Sequence, residues 1–437
     1  MQPRIIGRNL MRSIGSVFSR RCWTVSTEKE DRFIVLTDET NQLDSTQPGA
    51  KTKRLIFPSI WLRDNCQCPR CFDTQANSRT IDMMHFDWKV KPEQAQISAA
   101  QQLKVAWSDG HHSDFSLEWL KERSFDPDTQ NAYLRRNYKF ERKAVVGEKF
   151  SGDFQKIRLQ SDHRGVSSDS FKICGAETTT ESPGSDRVLL DWLTHLITYG
   201  VALIENSGVE LGTIKILARR VAFLRRTQYG ETFYVEAKEG ATNSAYKAAA
   251  LQLHVDLPYN RYMPEILFLH CILQSKQKEG GESHLTDCLH VGQEMKASHP
   301  KMYDILRSVE VDWSDIGEDS GYEFHAIHRE PVVCENKDGE IRRVNFSQPQ
   351  RDNHFNIPAE DVDSWYEAWS LFVQQVHNSE NRALFRLTEG DILVFDNTRL
   401  VHGRTAFNDS RILEGGYMDW DLAHSRMRIL RKQLHVE

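Results

Sequence analysis

From Tyr229 onward the chain is cut into short apolar runs separated by turn residues: EILFLHCIL, RRVNFS, DILVFDN and ILEGGYMDWD. Such runs are too short to be ordinary helices and recur too often for a helix bundle. Strands of this kind must cover their apolar faces with a second sheet or with helices. The helical periods lie before and between them. VLLDWLTHLITYG has helical spacing and ends on Gly200, the residue type that closes a helix. VALIEN reads as a buried strand and TIKILARRVAFLRR as a second amphipathic helix. DSWYEAWSLFVQQVHNS is a helix inserted among the strands. The expected fold is mainly β with flanking helices, a sandwich or jelly roll.

The first third is organised differently. FIVLTD and RLIFPSIWLRD are strand-like, and KVAWSDG followed by DFSLEWLKER reads as strand, turn and helix. Residues 30–140 are expected to form a small N-terminal β domain. The polar stretch 141–186, with SSDS and ETTTESPGSD, has no apolar period and reads as a linker. Residues 187–437 form the main domain. Residues 1–27 contain no acid but carry Arg4, Arg8, Arg12, Arg20 and Arg21, with Ile6, Leu10, Ile14 and Phe18 near helical period. That pattern fits a mitochondrial transit peptide outside the fold, with a cytoplasmic location as the alternative.

Asp and Glu outnumber Lys and Arg by 62 to 56, for a formal charge of -6, which argues against nucleic acid as the main partner. No apolar run is long enough for a membrane-spanning helix. Of eight cysteines, Cys66, Cys68 and Cys71 are clustered. The scattered Cys22, Cys174, Cys271, Cys288 and Cys334 read as small buried apolar residues.

A non-haem Fe(II) oxygenase needs two histidines and one carboxylate on one face of the metal. Residues i and i+2 of a strand point the same way, so His-x-Asp supplies two of the three. The pattern occurs at His85/Asp87, His112/Asp114 and His254/Asp256. The last follows a segment dense in Tyr and Asn and precedes a strand, and downstream DILVFDNTRLVHGRTAFNDSR adds His402 and, nine residues on, Arg411. The guanidinium fork of an arginine suits the distal carboxylate of 2-oxoglutarate.

With these residues in view, the chain resembles the γ-butyrobetaine dioxygenase and trimethyllysine dioxygenase family, closer to the former, from residue 33 to residue 432. The matching stretches are WLRDNCQCPRC, SLEWL, YGETF, NSAYK, LHVDLPY, FDNTRLVHGR, SRILEGGYMDWD and SRMRILR. The resemblance implies a double-stranded β-helix with a small zinc-binding N-terminal domain. It implies Fe(II) on His254, Asp256 and His402, and 2-oxoglutarate on Arg411, with O2 as co-reactant and ascorbate as reductant. It implies a structural zinc on Cys66, Cys68, Cys71 and His111, with His112 as the competing fourth ligand.

Both family substrates carry a trimethylammonium group, which aromatic faces hold best. The resemblance places the cage on Tyr229, Phe233, Tyr246 and Tyr417, with Phe233 where the butyrobetaine enzymes usually have Trp. Asn243 would serve the substrate carboxylate, whereas an Asp there would suit the ammonium of trimethyllysine. Ser347 stands where the family has a second Asn. The implied reaction is hydroxylation of γ-butyrobetaine to carnitine. The alternatives are trimethyllysine or another quaternary amine as substrate, or an inactive relative that binds zinc and betaine. The transit peptide points toward the trimethyllysine branch. A homodimer is left open.

Overall fold

The computed structural model describes residues 23–39, 53–145, 158–159, 183–236, 249–277, 279–319 and 321–436. The chain divides into two compact units, Met1–Lys139 and Phe140–Glu437.

In the first unit, β1 (Trp23–Glu28), β2 (Phe33–Asp38) and β3 (Arg54–Pro58) form an antiparallel meander that runs into α1 (Ser59–Asp64). A short ladder, β4 (Phe72–Asp73) with β5 (Ser78–Arg79), follows. A second meander joins β6 (Pro92–Ile97), β7 (Gln102–Trp107) and β8 (His112–Ser116), and leads into α2 (Leu117–Glu122) and α3 (Pro127–Asn137). In β7 the buried residues are Leu103, Val105 and Trp107, the period-2 pattern of a strand with one covered face. The Trp107 indole is satisfied by Ser113 Oγ at 2.9 Å. The structure moves one expected boundary. Residues 1–22 lie outside the described residues, but Trp23–Glu28 is not outside the fold: it pairs with β2 along its whole length and buries Trp23.

The second unit holds two sheets. The larger has the order β11-β23-β13-β21-β10-β9, made of β9 (Arg158–Leu159), β10 (Val201–Ile204), β11 (Thr232–Glu236), β13 (Ile266–Leu273), β21 (Ile392–Asp396) and β23 (Ile412–Met418). The smaller has the order β12-β22-β14-β20, made of β12 (Leu251–His254), β14 (Ser283–Asp287), β20 (Arg382–Phe385) and β22 (Leu400–Arg404). The chain passes from the smaller sheet to the larger and back in β12, β13 and β14, and again in β20, β21, β22 and β23. This is the winding of a double-stranded β-helix.

Helix α4 (Pro183–Tyr199) buries Leu189, Trp192, Leu193 and Leu196, one face at helical spacing, and packs on β10 and β21. It ends as expected on Gly200, whose φ of +76° the other residues avoid and where a Cβ would lie 2.6 Å from Leu400 Cδ1. Helix α5 (Thr213–Val221) is shorter than its sequence period suggests. The chain leaves the helix so that Arg225 N–H can donate to the Tyr417 carbonyl at 2.7 Å. Helices α6 (Cys288–Ser298) and α7 (Pro300–Ser308) lead to a long hairpin of β15 (Glu310–Asp319) and β16 (Tyr322–Pro331). Then come β17 (Val333–Glu335), β18 (Ile341–Val344), β19 (Arg351–Phe355) and the expected inserted helix, α8 (Val362–His377). Helix α9 (Trp420–Gln433) closes the chain against α4.

The expected linker is only partly a linker. Its start is tied down where Val145 N–H donates to Asp287 Oδ2, and Arg158–Leu159 pairs with β10. Helix α4 already begins at Pro183. Cys271, Cys288 and Cys334 are buried as expected, while Cys22 and Cys174 lie outside the described residues.

Candidate active site

Strands β12 and β22 are antiparallel neighbours in the smaller sheet, and their register sets His254 opposite His402. The imidazole centroids are 4.3 Å apart. Asp256 lies two residues beyond His254, with its Oδ1 3.2 Å from His254 Nε2 and 3.7 Å from His402 Nε2. One donor atom from each residue falls within 4.8 Å of the others. The other two His-x-Asp pairs form no such cluster. His85 is exposed on Asp82, and Asp114 is exposed on Lys104.

The surroundings fix how these groups point. His254 Nδ1 lies 2.8 Å from the Gln252 carbonyl, which can only accept, so Nδ1 carries the proton and the Nε2 lone pair faces the cluster. Asp256 Oδ2 accepts the Tyr417 hydroxyl at 2.8 Å, which leaves Oδ1 toward the histidines. Asn397 is fully buried and holds the Asp256 backbone, accepting its N–H and donating to its carbonyl. Leu257 follows in the left-handed region at φ 57°, a conformation that costs energy for a branched residue and that this bracing maintains. Strand β22 is fixed at its start by Arg399, which is buried and donates to both oxygens of Asp287.

Burial pushes the Asp256 carboxyl up, but the two imidazoles and the Tyr417 hydroxyl outweigh it and hold it at about 2. Burial, and then the neighbouring His254, push His402 down to about 3. A carboxylate held ionised beside two imidazoles is the donor set of a divalent cation with open positions. The residues present fit Fe(II) of this class.

These groups line an open pocket, whose lining also includes Arg404 and Arg411. Arg411 is 3% exposed, and its Nε has no hydrogen-bond partner among the described residues. Burial lowers its pKa, and burial together with the Arg411 charge lowers Arg404 to about 10. A buried guanidinium with an Nε unpartnered among the described residues, as in Arg411, calls for an anion.

Aromatic faces line the pocket as well. Phe233 lies 5.2 Å from Tyr417 and 6.2 Å from Tyr229 between ring centroids. Phe233 lies over Gly415, where a Cβ would come within 2.2 Å of its ring. Three of the four expected cage residues thus share one wall. Tyr246, the fourth, lies outside the described residues, as does Asn243. Ser347 is in the pocket wall, but its hydroxyl donates to Gln350 Oε1 at 2.6 Å. Ser347 as a substrate contact remains a proposal, with its hydroxyl engaged by Gln350. Its one proton is used within the protein, and Gln350 is the polar side chain it presents. Sequence reasoning passed over Gln350 and Asn397, because neither belongs to a spaced pattern.

In the first unit, Cys66, Cys68, Cys71 and His111 form a second donor group within the same 4.8 Å limit. His111 Nε2 lies 3.3 Å from Cys66 Sγ and 3.5 Å from both Cys68 Sγ and Cys71 Sγ. His111 sits in the β7–β8 turn, whereas His112 begins β8 on its exposed face. Three thiols and one imidazole at such spacing suit a closed tetrahedral zinc site.

Fold, pocket and relatives agree on the class, a 2-oxoglutarate-dependent dioxygenase with iron chemistry. Residues 169–417 match the model of the taurine catabolism dioxygenase TauD, TfdA family, and residues 48–121 match the γ-butyrobetaine hydroxylase-like N-terminal model. The human γ-butyrobetaine dioxygenase (Homo sapiens) is 31% identical over 386 residues, covering 87% of this chain and 92% of that protein. The γ-butyrobetaine dioxygenase of Pseudomonas sp. (strain AK-1) is 27% identical over 86% of this chain and 91% of its own. The chicken (Gallus gallus) protein named trimethyllysine dioxygenase, mitochondrial, is 26% identical over 86% of this chain and 84% of its own. The chain belongs to the TauD, TfdA dioxygenase family, in its γ-butyrobetaine and trimethyllysine dioxygenase branch.

Proposed function

We propose that this protein hydroxylates γ-butyrobetaine to carnitine, with Fe(II) on His254, Asp256 and His402 and 2-oxoglutarate anchored on Arg411. The observation that carries the reading is one pocket lined by Arg411, by His254, Asp256 and His402, and by the adjoining rings of Tyr229, Phe233 and Tyr417. The bound iron, with 2-oxoglutarate and O2, supplies the oxidising power that replaces a C–H by C–OH and yields succinate and CO2. Ascorbate serves as the reductant. The protein's share is placement. The aromatic wall takes a trimethylammonium head that cannot donate a hydrogen bond. The carboxamide of Gln350, held by Ser347, and Asn243 serve the carboxylate tail. Tyr417 acts twice, as a face of the wall and as the donor that orients Asp256.

Zinc on Cys66, Cys68, Cys71 and His111 is structural in this reading. The Arg-rich start of the chain directs it to the mitochondrion. A second reading, trimethyllysine as substrate, draws on Ser347, whose hydroxyl is tied to Gln350, and on the same leader. The test is 2-oxoglutarate turnover with Fe(II) and ascorbate, offering γ-butyrobetaine and trimethyllysine side by side and identifying the products. Carnitine formation is expected. Turnover with trimethyllysine alone would move the enzyme to the sibling reaction.

A further inference from the structure

One turn of the pocket wall is held between two anchors. The segment from Phe346 to Arg351 leads from β18 into β19 through a single 3-10 turn, Gln348–Gln350. Ser347, Pro349 and Gln350 of this segment line the pocket. At its first end the Phe346 carbonyl accepts the Val255 N–H at 2.8 Å. Val255 stands between His254 and Asp256, so this end is tied to the candidate metal ligands. The Phe346 ring packs on Trp369 of α8, with centroids 5.0 Å apart. At the far end the backbone of Arg351 pairs with Trp313 of β15.

The Arg351 side chain supplies the second anchor. Its guanidinium carbon lies 5.3 to 6.0 Å from the centroids of four rings, Phe355, Trp365, Tyr366 and Trp369. These rings brace one another. Trp365 and Trp369 stack at 5.5 Å with 14° between their planes, and Tyr366 stands at 89° to Trp365. Among the described residues no carboxylate forms an ion pair with Arg351. Aromatic faces hold its charge instead. Its Nε donates back into the turn, to Gln348 Oε1 at 3.4 Å. A planar guanidinium can stack on rings and donate in its plane at the same time, which an ammonium cannot. Both shoulders of the turn thus rest on the aromatic face of α8. Between them, the bond from Ser347 Oγ to Gln350 Oε1 closes the turn. With Oε1 engaged, the amide N–H groups of Gln350 are what the turn offers a ligand.

We propose that Arg351 is a positioning residue for substrate selection: seated among its rings, it holds the Ser347–Gln350 turn so that the Gln350 amide favours a quaternary amine with a carboxylate tail over one without. This rests on the reading of the pocket as a γ-butyrobetaine site. A carboxylate accepts a stronger hydrogen bond than an ester does, provided the donor already stands where the tail arrives. A glutamine on a loose turn would lose its side-chain freedom at each binding event, and the preference would shrink.

The test compares γ-butyrobetaine with its methyl ester, which keeps the head and the chain and removes the charge of the tail. Both are titrated into the metal- and 2-oxoglutarate-loaded enzyme kept free of O2. The wild type is expected to bind the acid more tightly. Arg351→Met should raise the dissociation constant of the acid by roughly 5- to 20-fold. That of the ester should stay unchanged, which also shows that the pocket is intact. Gln350→Leu should reproduce the loss, and the double variant should lose no more than either single one. Arg351→Lys keeps the charge without the flat fork, and should lose most of the preference too. A wild type that binds both ligands alike, or an Arg351→Met variant that weakens both equally or neither, overturns the proposal. So does an Arg351→Lys variant with the full preference, because charge rather than placement would then carry the effect. Turnover of γ-butyrobetaine is measured in parallel. Absent turnover with an Arg351-dependent preference would support the proposal and remove that substrate. Turnover with a preference that ignores Arg351 would keep the substrate and remove the proposal.

Discussion

The Tyr417 hydroxyl donates to Asp256 Oδ2 over 2.8 Å while Oδ1 of the same carboxylate faces His254 and His402. One oxygen is held by the larger sheet, and the other is left for a metal. Tyr417→Phe keeps the ring in the aromatic wall and removes only the donor. On the proposed assignment it should weaken Fe(II) binding about 10-fold or more, the usual cost of losing a partner that orients a ligand. The KM for the cationic substrate should move little. Iron titration of 2-oxoglutarate turnover measures both, and an unchanged iron requirement would count against Asp256 as a ligand. His254→Ala, which removes a ligand outright, should end turnover.

Arg411 and Arg404 both line the pocket, and each carries a pKa lowered first by burial. Arg411→Met should therefore split two properties. The KM for 2-oxoglutarate should rise by about 10- to 100-fold, as expected when a charge-assisted pair with a carboxylate is lost. The thermal midpoint of the protein without 2-oxoglutarate should hold or rise, because a buried charge and its repulsion with Arg404 are gone. A lower midpoint with unchanged KM would make Arg411 a structural residue.

Much of the fold and site was legible in the sequence where chemistry repeats at fixed spacing. The strand runs from Tyr229, the glycine end of α4 and the brief C-x-C-x-x-C motif are local patterns, and local patterns survive without tertiary context. What escaped is set by contacts far apart in the chain. TIKILARRVAFLRR keeps its helical period past Val221, but a strand bond between Arg225 and Tyr417 ends the helix there. Trp23–Glu28 joins a sheet despite following an Arg-rich stretch, because β2 offers it a full register. Ser347 reads as a donor until Gln350 is seen three residues on, taking its proton across a short turn. Asn397 braces the Asp256 backbone from 141 residues away, which no spacing rule reveals.

The thiols of Cys66, Cys68 and Cys71 converge on His111 Nε2 from the loop after α1, while His111 comes from the β7–β8 turn. A metal there would join these two segments. Cys68→Ser should lower zinc content and destabilise the first unit by several kcal/mol, on the order of a lost structural metal ligand. Zinc analysis with thermal unfolding reads both effects. One zinc per chain in this variant would remove the structural-zinc proposal.

Glu265 immediately precedes β13, where its Oε2 accepts the Trp420 N–H at 2.7 Å. Burial pushes its carboxyl up to about 7, against that N–H and with help from the charges of Asp396, Asp419 and Asp421. The folded pKa is thus above the ordinary 4.5. A group raised in the folded state binds its proton more tightly there, so its contribution to stability is complete below the unfolded pKa and is lost as pH rises through the folded one. For Glu265 that loss runs from about pH 4.5 to just above pH 7. Glu265→Gln keeps an acceptor for Trp420 and cannot ionise. It should match the wild type near pH 4.5 and exceed it by on the order of 2 kcal/mol at pH 8. Thermal midpoints of both proteins across that range give the measurement. A gap that stays constant with pH, or that widens toward acid, would show that Glu265 is ionised in the folded protein throughout and that burial does not govern its charge.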